Sequence, residues 1–191
     1  SRGLGDVYKR QVYDGAHLHT FMSDQALSEA VAHFRAGEAE TGRSGGKLWS
    51  VFATACDVSE ERYLKLIVAR LATYLQIPGY GEALVNVNGW DMDTLQAFRN
   101  APIIAGMTGA IDSVASYTEL AEIDKLIPQE WRPAAVGDAK TCAQRWLDQI
   151  NAGADGVIIH ASTPEEFAPV LAEYEKIRPS ELFAQRTNRP G

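Results

Sequence analysis

One repeated pattern constrains this chain more than any other. Twice it writes Asp-Gly, a His five residues after the Asp, and then a hydroxyl residue that can cap a helix. The first copy is Asp14-Gly15, His19 and Ser23; the second is Asp155-Gly156, His160 and Thr163. Between them, residues 48–55 (LWSVFATA) are apolar at nearly every position, the signature of a parallel strand buried on both faces. Strands of this kind alternating with capped amphipathic helices point to parallel βα units.

The pattern predicts the elements in order. A strand over residues 12–21 leads to a helix capped by Ser23, with Ala26, Leu27, Ala30, Val31 and Phe34 at helical spacing. After strand 48–55, Ser59-Glu60-Glu61 opens a helix carrying Leu64, Ile67, Val68, Leu71 and Leu75 on one face. Residues 77–127 form an irregular excursion, with a loop at 86–90. Two short helices are expected there, opened by the capping boxes Asp93-x-x-Gln96 and Ser116-x-x-Glu119. A third strand is read at 133–136, then a helix capped by Asp138 and closed by Gly153 in the left-handed region. Strand 155–160 and a helix from Thr163-Pro164-Glu165-Glu166 complete the domain, and residues 180–191 read as a polar tail. Residues 1–11 (SRGLGDVYKRQ) have no apolar core or cleavage site and read as a non-native, adapter-like leader. The domain is therefore expected over 12–179, with four βα units where a (β/α)8 barrel has eight in about 250 residues.

The bulk properties narrow the partners. With 46% hydrophobic and 23% charged residues, the 191-residue chain has the balance of a globular protein, and no apolar run approaches the ~20 residues of a membrane span. A net charge of −7 and the lack of a basic cluster argue against nucleic acid. Cys56 and Cys142 have neither metal spacing nor a disulfide framework, which suits a reducing, cytoplasmic setting.

In βα barrels the chemistry sits at the C-terminal ends of strands. That rule selects His17, His19, Thr20 and Phe21 after strand one, Thr54 after strand two, and His160 and Ser162 after the last strand. His17 and His19, two apart on a strand, share a face as metal ligands do. A metal-dependent, amidohydrolase-like hydrolase is therefore the alternative reading, although only His160 is available as a further ligand. The turn Ala152-Gly153-Ala154-Asp155-Gly156 resembles that of phosphate-binding barrels, but Glu165 and Glu166 at the next helix start would repel an anion. Around the excursion, Tyr74, Tyr80, Asn86, Asn88 and Trp90 can stack on a flat heterocycle or bond its polar edges.

Several stretches taken in order resemble the luciferase-like monooxygenase superfamily, especially its coenzyme F-420 (deazaflavin)-dependent branch. They are Tyr13-Asp14-Gly15-Ala16-His17-Leu18-His19-Thr20, Arg70-Leu71-Ala72-Thr73-Tyr74-Leu75, Asn88-Gly89-Trp90-Asp91, Leu126-Ile127-Pro128-Gln129-Glu130-Trp131 and Gly153-Ala154-Asp155-Gly156-Val157-Ile158-Ile159-His160. The resemblance implies the C-terminal half of a (β/α)8 TIM barrel with a helical excursion late in the chain. It also implies a homodimer when full length, and hydride exchange between coenzyme F-420 or FMN at the strand mouth and a small organic substrate. On that reading His17, His19, Thr20, Thr54 and His160 bind cofactor, and Tyr74, Asn88 and Trp90 line the substrate pocket. No catalytic residue is carried over. A non-catalytic half-barrel used for association is the third possibility.

Overall fold

The computed structural model describes residues 15–183. The leader and most of the tail lie outside the described residues. Within them the fold is α/β, with four parallel strands organised around one of their number. β2 (Lys47–Cys56) pairs with β1 (Gly15–His17) at residues 47–49, with β4 (Gly156–His160) at 49–53 and with β3 (Ala135–Gly137) at 54–56. The Trp49 carbonyl accepts from Leu18 N and the Leu48 carbonyl from Asp155 N, both at 2.8 Å. Successive carbonyls of a strand point to opposite edges, so β1 and β4 flank β2.

Both Asp-Gly pairs have a steric reason. A Cβ on Gly15 would lie 2.6 Å from the Lys47 carbonyl oxygen, and one on Gly156 would lie 2.7 Å from the Trp49 ring. Asp155 ties the edges together. Its Oδ2 accepts from Leu48 N at 2.9 Å and from Arg35 at 2.6 Å, and its Oδ1 accepts from Lys47 Nζ at 3.2 Å.

Two expectations about the strands change. β1 ends at His17, because the chain turns at Thr20-Phe21, where Phe21 has φ of +62°. β2 is not buried on both faces throughout: Leu48, Ser50 and Phe52 are buried, but Trp49 is 39% exposed. The unbroken apolar run concealed that alternation. β4 also pairs directly with β2, rather than across an intervening β3 as successive barrel strands would. β3 is only three residues long, cut off by the helix cap at Asp138.

The side chains of β2 sort by parity. Ser50, Phe52, Thr54 and Cys56 face two helices, α9 (Ala139–Asn151) and α10 (Pro164–Ile177), where Phe52, Cys56, Cys142, Trp146 and Val170 form one core. Ser50 donates to Gln149 at 2.8 Å and Trp146 Nε1 donates to Thr54 Oγ1 at 3.0 Å. Trp49, Val51, Ala53 and Ala55 occupy the other face. Ala53 and Ala55 are covered by a second, larger core built from the excursion.

That second core begins after α1 (Asp24–Glu40), with α2 (Glu60–Tyr63), a π-helical stretch at Leu64–Ala69 and α3 (Arg70–Gln76). The excursion is more helical than expected. It contains α4 (Tyr80–Asn88), α5 (Met92–Asn100), α6 (Pro102–Ala105), α7 (Ile111–Val114), α8 (Tyr117–Asp124) and a 3-10 turn at Gln129–Trp131. Residues 86–88 are helix rather than loop, and Gly89, with φ of +66°, supplies the left-handed cap. Asp91, not Asp93, caps α5, accepting from Thr94 N at 2.8 Å. The boxes at Ser116-Glu119 and Thr163-Glu166 form as read. Glu166 also takes a two-pronged bond from Arg62 at 2.6 and 2.9 Å, which fastens α10 to α2. After Arg178-Pro179 the chain makes a further helical turn, α11 (Ser180–Phe183), inside the expected tail. Among the described residues no helix is long and apolar enough to cross a membrane.

Candidate functional site

β1, β2 and β4 leave the sheet at one end, and each does so through a non-glycine residue in the left-handed region: Phe21 (φ +62°), Asp57 (+48°) and Ala161 (+79°). Each such residue costs on the order of 1–3 kcal/mol and persists only where its surroundings impose it, as functional sites commonly do. At this end His17, His19, Thr20, Tyr74 and His160 line one cavity of about 300 Å³, floored by Val51 and Ile158. Strand pairing places the floor: Val51 is opposite Ile158 and Ala53 is opposite His160, all on the face away from α9 and α10.

His19 is held on every side. Its Nδ1 lies 2.6 Å from the Thr20 carbonyl oxygen, which can only accept, so Nδ1 carries the proton. Nε2 is then the acceptor, and it takes the hydroxyl proton of Tyr80. The rings of Tyr74 and Tyr80 meet the imidazole edge-on at 4.8 and 5.0 Å. Burial lowers the pKa of His19 while its bond to the Thr20 carbonyl opposes the shift. Burial also lowers His160, helped by the nearby charge of Arg70 and by His19. Both imidazoles are therefore neutral at pH 7. Burial, with Tyr74 alongside, raises the Tyr80 hydroxyl.

Two polar atoms at this mouth have no partner: Thr20 Oγ1 and His160 Nδ1, both buried. A buried unpaired donor or acceptor costs about 1–3 kcal/mol, so such atoms are rare without a reason.

The structure brings together four of the five predicted cofactor residues, His17, His19, Thr20 and His160, with Tyr74 from the predicted pocket. It does not bring the other three there. Thr54 is fully buried on the helix side of β2, bonded to Trp146. Asn88 latches the loop after β1: its Nδ2 donates to the carbonyls of Phe21 and Leu84 at 3.0 Å, and its Oδ1 accepts from Ser23 N at 2.6 Å. Trp90 stacks on buried Trp131, centroids 4.8 Å apart and planes 7° apart, packing the excursion onto itself. Sequence reading missed Val51 and Ile158, whose inward orientation follows only from the register of β2 with β4. It noted Tyr80 only as an aromatic near the excursion, without its bond to His19.

The metal and phosphate geometries can be compared directly. His19 has both ring nitrogens engaged, and among the described residues no group of three or more His, Cys, Asp or Glu is placed to hold a metal ion. Gly153, with φ of +104°, closes α9, where a Cβ would meet Val31 at 2.7 Å, and Glu166 turns back to accept from Thr163 N. Cys142 is buried and its thiol is pushed up to about 12, chiefly by burial, so it is no nucleophile.

No family model matches the chain, and no curated protein matches it significantly. Among solved structures, the coenzyme F420-dependent tetrahydromethanopterin reductase from Methanopyrus kandleri superposes with a TM-score of 0.62 at 14% identity. The two share a fold. The superposition covers 97% of this chain and 47% of the reductase, so the chain spans about half the length of that protein.

Proposed function

We propose that this chain is half of a (β/α)8-barrel oxidoreductase of the luciferase-like type, a homodimer when complete. On this reading it transfers hydride between coenzyme F-420 or FMN and a small organic substrate. The observation that carries the reading is the strand-mouth cavity lined by His17, His19, Thr20, Tyr74 and His160, on a fold shared with an F420-dependent reductase.

The residues suit the ring of such a cofactor. Val51 and Ile158 offer an apolar floor for a planar face, and Tyr74 presents an aromatic side wall. Thr20 and His160 stand at the cavity wall, with Thr20 Oγ1 and His160 Nδ1 buried behind its surface. When bound, the cofactor supplies the hydride donor or acceptor. The chain's own residues orient the ring, and burial lowers the pKa of both His19 and His160 at the cavity wall. Most other contacts would come from strands outside this chain.

Fluorescence titration of F-420 and FMN tests the proposal, using this chain and a version completed to eight strands. The completed version is expected to bind one of them, and this chain only weakly. Failure of the completed, folded version to bind either would refute the assignment.

A further inference from the structure

A second cavity, about 310 Å³, opens on the other side of the segment that carries His17 and His19, between α1 and α4. Its walls are apolar: Met22 and Ala30 on one side, Ala83, Leu84 and Val87 on the other. The space exists because alanines face each other across the two helices, and it continues along them past Ala26 toward His33. The groove opens to solvent at Ala83 and Val87, and its apolar wall can take the face of a flat body.

One end of the slot is polar, and its chemistry is directional. His19 and Tyr80 both line it. Because Nδ1 of His19 donates to the Thr20 carbonyl, Nε2 must accept, and the Tyr80 hydroxyl proton is committed to it. The Tyr80 oxygen therefore shows the slot only lone pairs. It can accept a hydrogen bond but not give one.

We propose that the α1/α4 slot is a ligand site for a molecule with a flat apolar body and one hydroxyl, whose O–H donates to Tyr80 Oη. The site adjoins the strand-mouth cavity, sharing His17, Leu18 and His19 with it, and does not depend on the cofactor assignment. A hydroxyl is selected over an ether of the same shape, because the ether has no proton to give and its oxygen would face the Tyr80 lone pairs.

The test compares 2-naphthol with 2-methoxynaphthalene by fluorescence titration against the full chain. The expected result is tighter binding of 2-naphthol. Tyr80→Phe should weaken 2-naphthol by about 2- to 13-fold, the range of one net hydrogen bond, and leave 2-methoxynaphthalene bound no more weakly than before. Ala83→Trp, a change at an exposed helix position that fills the slot, should weaken both probes. Equal binding of the two probes by the unaltered protein, or 2-naphthol binding that survives both substitutions, overturns the proposal. An F-420 titration of the completed version alongside separates the two ideas. Hydroxyl selectivity without cofactor binding supports the slot and defeats the oxidoreductase reading, whereas cofactor binding without selectivity does the reverse.

Discussion

Replacing Asn88 by Ala should unlatch the loop that carries His19. Asn88 makes three hydrogen bonds to backbone, at 2.6, 3.0 and 3.0 Å, and two of them hold Phe21 and Ser23 on either side of Met22. Phe21 is fully buried and sits in the left-handed region, so its conformation persists only because its surroundings impose it. Net hydrogen bonds of about 0.5–1.5 kcal/mol each, plus the penalty for partners left unsatisfied, give a loss of roughly 2–4 kcal/mol. That is a large share of the ~5–15 kcal/mol typical of a domain. Asn88→Asp should do comparable harm, since it keeps the acceptor for Ser23 N but turns a carboxylate oxygen toward two carbonyls. Urea denaturation followed by far-UV circular dichroism measures the loss. A change below about 0.5 kcal/mol for Asn88→Ala, with unchanged His19 resonances, would refute the latch and return Asn88 to the ligand pocket.

Further predictions follow from other parts of the structure. Asp155→Ala leaves the Leu48 N–H unpaired and removes one of the partners of Arg35, and should cost about 2–4 kcal/mol in urea denaturation, whereas Asp155→Asn, which keeps an acceptor, should cost less than half as much. Glu82 and Glu166 are held at about 2, chiefly by bonds from Arg99 and Arg62 respectively. A depressed carboxylate stabilises the fold above its unfolded value near 4.5 and loses that contribution as pH falls toward 2. The urea midpoint should therefore drop between pH 5 and 2, and less steeply in Glu166→Gln; parallel profiles would count against the Arg62 clasp. Trp90→Leu should abolish the near-ultraviolet dichroism of the Trp90–Trp131 stack and lower stability without altering ligand binding at the strand mouth; retained dichroism would contradict the stack.

The parts of this fold legible in sequence are those governed by local chemistry. Ser23, Asp138 and Thr163 each cap the helix they were expected to cap, because a side-chain oxygen three residues ahead of a free N–H is a short-range requirement. β2 and β4 are found within a residue or two of their expected bounds. The Asp-Gly echo marked two real junctions, although its cause, the approach of Lys47 to Gly15 and of Trp49 to Gly156, is tertiary. What sequence could not show was long-range. An unbroken apolar run hides which side of β2 is covered, so Thr54 looked available when its hydroxyl faces Trp146. Asn88 lay near Trp90 and looked like a ligand contact, but two of its three backbone partners, Phe21 and Ser23, are more than 60 residues away in the chain. Tyr80 opens α4, yet it acts through a histidine 61 residues earlier.

The strand-mouth cavity is the proposed seat of a deazaflavin or flavin ring. The most direct test is an NMR titration of F-420 into the chain, following the imidazole nitrogens of its histidines and the side-chain resonances of Thr20. The method detects the weak binding expected of a half-barrel. Saturable shifts at Thr20, His19 and His160, with His33, which lies farther along the α1/α4 groove, unmoved, are the predicted result. Shifts confined to His33, or none at millimolar cofactor, would contradict it.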